Sequence, residues 1–131
     1  MKYLHEYTAD AVTNLLNRTG AFFAFSNKQF NEKAQKDINY VNMSAGLVCP
    51  KDNAKELDNG LSDLGTLGIE LDLAENSKKD IIWRELANYE TQISRDPQDA
   101  VDVLKKYNIS EEEVKKEYSA YMDHCIEHDL F

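Results

Sequence analysis

The sequence predicts an α+β protein in which helix dominates, and three observations support this fold class. All five glycines lie at or before Gly68, in the part of the chain where turns and strands use them. Two segments of the same half, AFFAF (21–25) and INYVNMSAGLV (38–48), are rich in aromatic and β-branched residues. The second half instead carries repeated helix-start signals. We expect a helix-dominant single domain with a small two- or three-stranded sheet in its N-terminal half and an acidic helical C-terminal half.

The first elements follow from local spacing. Apolar residues at helical intervals predict one amphipathic helix over residues 4–16, with Gly20 placed just past its end. The short and wholly apolar AFFAF segment (21–25) predicts a strand that is buried on both faces. Ser26 and Gln29 then form a capping-box pattern, which predicts a short helix directly after this strand.

The middle of the chain predicts a second strand and a second long helix. Residues 38–48 are expected to pair with the first strand, and Gly46 marks a bulge or a close backbone approach. Pro50 is suited to the first turn of a helix, and Gly65 is suited to end it. The inward positions of that helix are Ala54, Leu57, Leu61 and Leu64.

The second half of the sequence predicts a series of consecutive helices. From Leu67 the segment IELDL alternates like a strand, but the continuing apolar periodicity favours one long helix, with Ser77 as a place where a new helix could begin. Asp96 and Pro97 mark another start. Ser110 and Glu113 form a capping box for a final helix. The apolar face of this final helix consists of Val114, Tyr118, Tyr121 and Cys125.

Length and charge bound the class of protein. With 131 residues the chain matches one domain, residues 1–131, and its two cysteines are too few to replace a core with disulfides. The net charge is −9, and residues 67–131 hold sixteen Asp and Glu against eight Lys and Arg, about −8. Direct binding to nucleic acid or to an anionic membrane is therefore not expected. The N-terminus lacks a secretory signal, so we expect a soluble cytoplasmic protein with free thiols.

Two motifs contain residues of the types that catalytic sites use. His124-Cys125-Ile126-Glu127-His128 matches the H-x-x-E-H order of inverted zinc peptidases, with two His on one helix face and Glu127 beside them. No downstream acidic ligand follows on a later helix, so solvent-facing His and a core Cys125 are the favoured interpretation. Cys49, before Pro50, is positioned like a thiol nucleophile, yet no His lies near it in sequence. We expect no catalytic residue, no metal and no cofactor.

Three blocks occur in this order, FFAFSNKQF (22–30), GLVCPKDNAKEL (46–57) and RELANYE (84–90), followed by an acidic C-terminus ending in HDLF. In these features the chain resembles a small family of uncharacterised proteins of bacteriophages and mobile genetic elements. The resemblance implies a bacterial host cell and, because small acidic phage proteins often act on host machinery, inhibition of a host defence protein in the manner of anti-CRISPR proteins. It carries no site residues.

Three functional hypotheses follow. The first is a non-enzymatic acidic protein that binds a basic surface of a host protein, by protein contact or by DNA mimicry. The second is a small metal- or thiol-dependent hydrolase that uses the C-terminal His pair or Cys49. The third is a subunit of a homo-oligomer, in which the last helix and Phe131 pack on another copy. For the first hypothesis the expected partner-binding residues are Asp99, Asp102, Glu111, Glu112 and Glu117.

Overall fold

A computed structural model describes residues 1–131 and confirms the α+β class, with seven α-helices and one three-stranded antiparallel sheet in the N-terminal half. The strands are β1 (Phe22–Phe23), β2 (Tyr40–Ser44) and β3 (Leu47–Pro50). The helices are α1 (Ala9–Thr19), α2 (Asn27–Lys33), α3 (Ala54–Glu75), α4 (Lys78–Asn88), α5 (Thr91–Ser94), α6 (Gln98–Leu104) and α7 (Glu111–Glu127). Short 3-10 turns occupy Leu4–Tyr7, Lys51–Asn53 and Lys105–Tyr107. None of the helices combines the length and the apolar character that crossing a membrane requires.

The chain divides into two compact units. The N-terminal unit comprises residues 5–68, and the C-terminal unit comprises residues 1–4 together with 69–131. The division falls inside α3, so this helix contributes its first part to one unit and its last part to the other. That the whole chain is one domain stays a prediction.

The first helix differs from its prediction at its start. The predicted helix over residues 4–16 is broken, because Leu4–Tyr7 form a 3-10 turn and α1 begins only at Ala9. Leu4 packs against the core of the C-terminal unit, whereas Leu15 belongs to the core of the N-terminal unit. Gly20 ends α1 in the left-handed conformation, at φ 76°, as its position predicted.

The predicted second strand is in fact a hairpin of two strands. Residues 40–44 and 47–50 pair antiparallel, and the two residues between them, Ala45 and Gly46, both have positive φ, as a tight hairpin turn requires. Gly46 is therefore a turn residue rather than the bulge, and the irregular register lies earlier, between Asn42 and Ser44. The predicted close approach at Gly46 is confirmed, because a Cβ added there would collide with the ring of Phe25. The order β1-β3-β2 makes β3 the central strand.

The prediction that AFFAF is buried on both faces is wrong. Only Phe22 and Phe23 pair with β3, and β1 is an edge strand. Phe23 and Phe25 are 44% and 73% exposed, with stacked rings 6.2 Å apart. The extended segment is short because Ser26 caps α2 by accepting a hydrogen bond from the Gln29 N–H, as predicted, while the Gln29 side chain accepts from the backbone of Phe25.

Helix α3 begins later and ends later than predicted. Pro50 ends β3, and the 3-10 turn Lys51–Asn53 separates it from the first residue of α3, Ala54. Gly65 does not end the helix, since it lies in the middle of 22 continuous helical residues. The favoured helical interpretation of residues beyond Leu67 is confirmed as far as Glu75.

The helix starts of the C-terminal unit match their signals. Ser77 caps α4 by accepting from the Asp80 N–H, and Ser110 and Glu113 form a complete capping box on α7. Asp96 accepts from the backbone of Gln98, which is the first residue of α6. The long helix predicted from Leu67 onward is divided at Ser77, where a new start was anticipated, and again after α4, where Glu90 takes the left-handed conformation.

Each unit has its own buried core. In the N-terminal unit, buried residues from α1, β3 and α3 form it: Leu15, Leu47, Cys49 and Leu57. The larger core of the C-terminal unit is supplied mainly by α4, α6 and α7, which pack on one another. Its members are Ile81, Ile82, Leu86, Ala100, Val101, Leu104, Tyr107, Ile109, Val114, Tyr121 and Cys125.

Candidate functional site

Four of the five predicted partner-binding carboxylates lie exposed on α6 and on the first turn of α7, two helices that pack on each other. Asp102 accepts hydrogen bonds from Gln98 and Lys105, and Glu111 pairs with Lys115 at 3.1 Å. Asp99 and Glu112 form no ion pair. These two carboxylates are the ones most available to a cation from outside.

The fifth residue, Glu117, does not face outward as expected. Its side chain is half-buried, and its Oε2 accepts a hydrogen bond of 2.8 Å from the Trp83 indole N–H. The ring of Trp83 contacts Tyr121 edge-on, and the Lys79 ammonium lies 5.1 Å from its centre. Glu117 is thus a structural acceptor for a partly buried indole.

The C-terminal His pair lies on α7 and at its end. The ring centroids of His124 and His128 are 4.4 Å apart, and His124 also packs against Trp83 at 5.2 Å. No set of three or more His, Cys, Asp or Glu side chains is grouped so that it could hold a metal ion. The pair therefore lacks the third protein ligand that zinc hydrolysis needs.

Cys49 occupies the centre of the N-terminal core and is fully buried. Burial raises the pKa of its thiol, a hydrogen bond with Thr19 opposes this shift, and the charge of Glu56 adds to it. A thiol with a raised pKa and no access to solvent is a poor nucleophile. Cys125 is likewise fully buried, on the inner face of α7.

The most elaborate polar arrangement is buried inside the C-terminal unit, and we call it the Asp72 network: Asp72, Asn76, Arg84, Glu85 and Tyr107. The guanidinium of Arg84 holds both carboxylate oxygens of Asp72, at 2.9 and 2.8 Å, and also reaches Glu85. The Tyr107 hydroxyl donates to Asp72 at 2.6 Å, and the Asn76 amide donates at 3.0 Å. Arg84 also donates to the backbone carbonyl of Lys2.

Electrostatics in the Asp72 network favours a charged Asp72, a charged Arg84 and a neutral Tyr107. Burial raises the pKa of Asp72, but hydrogen bonds from Arg84, Tyr107 and Asn76 outweigh burial and leave this pKa below its ordinary value. Burial lowers the pKa of Arg84, but its bonds to Asp72 and Tyr107 give a net rise. Burial and the bond to Asp72 raise the pKa of Tyr107.

Sequence reasoning missed the Asp72 network, although a signal for it exists. Arg84 and Glu85 follow Ile81 by three and four residues, which places both charges on the core face of α4. Burying a charged side chain is costly unless an opposite charge or a hydrogen-bonding group pairs with it. Each member is hydrogen-bonded to at least one other member, so the charged groups of the network have their partners inside the C-terminal unit.

Comparison with known proteins gives one result. A model of a family of unknown function, DUF7659, matches residues 4–124. No curated protein and no solved structure matches the chain. The function of this family is unknown and the match does not bear on bacteriophages, so the expected link to them stays a prediction. Since the match spans nearly the whole chain, the protein belongs to the DUF7659 family.

Proposed function

We propose that the protein is a non-enzymatic binding protein whose acidic C-terminal unit recognises a partner with a basic surface. The observation that carries the proposal is the distribution of charge. Residues 1–4 and 69–131 hold sixteen acidic against nine basic side chains, a net of −7, while residues 5–68 hold eight against six, a net of −2. An excess of one sign on one unit attracts a partner of the opposite sign.

Local geometry supports the same choice of surface. Asp99 and Glu112 are exposed and unpaired, and Asp102 and Glu111 are exposed with only surface ion pairs. Such surface pairs are weak, about 0–1 kcal/mol, so a cationic partner can replace the lysines at little cost. Part of this charge also stabilises helix starts, since Glu111 and Glu112 lie in the first turn of α7.

The hydrolase alternative has less support. Its thiol version requires a reactive Cys49, which is buried with a raised pKa, and its metal version requires a further ligand beside His124 and His128. We also propose a cytoplasmic location, in keeping with the two unpaired cysteines.

The test is a triple charge reversal on the acidic surface, Asp99→Lys with Asp102→Lys and Glu112→Lys. Immobilised wild type is used to capture proteins from a lysate of the source cell at low and at high salt. We expect a partner that is bound at low salt, is released at high salt, and is not captured by the triple variant.

The matched control reverses three exposed acids of the other unit, Glu32→Lys with Asp58→Lys and Asp63→Lys. Both variants move the net charge from −9 to −3, so only the position of the change differs. The control should capture the partner as wild type does. Equal loss in both variants, or capture by the triple variant, would show that the surface of α6 and α7 is not the binding site.

A further inference from the structure

The strongest unexplained surface is a groove on the outer side of α7, which we call the α7 groove. A cavity of about 350 Å³ is lined by Arg95, Tyr118, Ser119, Met122, Asp123, Ile126 and Phe131. Tyr118, Met122 and Ile126 follow one another at intervals of four residues, so they form one apolar stripe along the helix. Tyr118 also packs against the core of the C-terminal unit, whereas the fully inward positions of α7 are Val114, Tyr121 and Cys125.

The apolar groups of the α7 groove are open to solvent to an unusual degree. Ile126 is 64% exposed and Phe131 is 57% exposed, whereas Tyr118 and Met122 are half-buried at the base. Single exposed apolar residues are normal on proteins, but a concave apolar stripe of this kind typically marks an interaction site.

Two opposite charges flank the stripe. Arg95 and Asp123 both line the α7 groove, yet neither takes part in an ion pair. Their charged groups are therefore more than 4 Å apart, so neither neutralises the other by direct contact. The groove is thus locally neutral on a unit that is otherwise strongly acidic, which makes it a poor site for the basic partner proposed above.

We propose that the α7 groove is a self-association surface that binds the α7 groove of a second copy of this chain in a two-fold symmetric dimer. In a two-fold interface the same patch meets itself, so it must be complementary to itself. An apolar stripe flanked by one cation and one anion meets this condition. Arg95 of one copy faces Asp123 of the other, twice, while Ile126 and Phe131 are covered from both sides.

The size of the groove and the net charge of the chain determine how strong the dimer is expected to be. The exposed apolar part of the groove is supplied by only two residues, Ile126 and Phe131, so we expect a small interface and a weak, concentration-dependent dimer. The two copies also repel each other, because each carries a net charge of −9. Added salt screens this repulsion, so dimerisation should survive in salt that releases a basic partner. Failure of the dimer is thereby distinguishable from failure of the proposed function.

The first experiment measures the mass of the protein by sedimentation velocity between about 10 µM and about 1 mM. We expect a monomer–dimer equilibrium, and Ile126→Glu should weaken it about tenfold or more, because a charge then enters the apolar centre. Ile126 is largely exposed in one chain, so this variant should fold normally. Ile38→Glu makes the same change at an exposed isoleucine of the N-terminal unit and should leave the equilibrium unchanged.

The second experiment tests the symmetric pairing. Arg95→Asp and Asp123→Arg should each weaken self-association, since like charges then meet in both pairs. Mixing the two variants should restore a dimer that contains one copy of each, because every contact again joins Arg to Asp. Wild type that stays monomeric up to about 1 mM overturns the proposal. So does a dimer that Ile126→Glu does not weaken, or a mixture that does not associate.

Discussion

Asp72 is the residue on which most buried polar contacts of the C-terminal unit converge. It is fully buried and accepts hydrogen bonds from three side chains, one just after α3, one on α4 and one after α6: Asn76, Arg84 and Tyr107. Taking a carboxylate and a guanidinium out of water is costly, and these bonds offset that cost. Substituting only one partner should therefore be worse than removing the whole set.

We expect Asp72→Asn to lower the free energy of unfolding by about 3–5 kcal/mol at pH 7, because Arg84 loses its bidentate partner while it stays buried. The measurement is urea unfolding. Glu70→Gln provides the control, since Glu70 is an exposed acid two residues earlier on α3. That change should alter the free energy by less than about 0.5 kcal/mol.

The same variant carries a prediction for pH. The pKa of Asp72 is lowered in the folded state, so its contribution to stability is fully present above the unfolded pKa of about 4. This contribution is lost as the pH falls from about 4 through the folded pKa. The stability difference between wild type and Asp72→Asn should therefore shrink in acid. A difference that stays constant down to about pH 2 would contradict this account.

At the scale of the element, helix α3 is informative because glycines lie inside it. A Cβ added at Gly65 would meet nothing within 4 Å, whereas one added at Gly60 would lie 2.7 Å from a methyl carbon of the buried Leu15. Gly65 therefore adds flexibility to the unfolded chain without making room for any neighbour. Gly60, in contrast, lets α1 approach α3 closely within the N-terminal unit.

We expect Gly65→Ala to raise the free energy of unfolding by about 0.5–1 kcal/mol, because alanine is the better helix former at an open position. Gly60→Ala should gain nothing or lose stability, since Leu15 would have to move. Thermal or urea unfolding of the two variants against wild type is the measurement. An equal gain in both would mean that α1 does not need the space at Gly60.

Elements whose signals are local were predictable from the sequence. The capping box of Ser110, the cap at Ser77 and the left-handed Gly20 involve groups within a few residues of one another. The misassigned elements depend on distant partners. AFFAF looks like a buried strand until its edge position is known, and residues 38–48 split because two successive residues turn the chain.

For the candidate sites, too, features that depend on local sequence were predictable, and features that depend on distant residues were not. The exposure of Asp99 and Glu112 follows from helix periodicity, so it could be predicted. The bond between Glu117 and Trp83 joins residues 34 positions apart, and the Asp72 network joins residues up to 35 positions apart among its side chains. Periodicity on one helix cannot pair such residues, because pairing depends on how the helices pack.

At the scale of the whole molecule, the unbalanced charge affects stability as well as binding. The chain carries −9, most of it on the C-terminal unit, and the described surface ion pairs are exposed and weak. Repulsion among like charges opposes the compact state. Net repulsion should therefore outweigh the attraction of these pairs.

We expect the melting temperature to rise between about 0.01 M and about 0.2 M salt, because the screening length falls from about 30 Å to below about 10 Å. Differential scanning calorimetry at fixed protein concentration is the measurement. The triple reversal on α6 and α7, with a net charge of −3, should respond less. A melting temperature that falls with salt would mean that ion pairs dominate over repulsion.

Trp83 gives the protein a built-in optical probe. It is the chain's one tryptophan, it lies in the C-terminal unit, and its indole is held between Glu117, Tyr121 and His124. The aromatic residues of the N-terminal unit are phenylalanines and tyrosines. Fluorescence excited at wavelengths that only indole absorbs therefore comes from α4 alone. Emission colour and quenching can then follow the C-terminal unit without any attached dye.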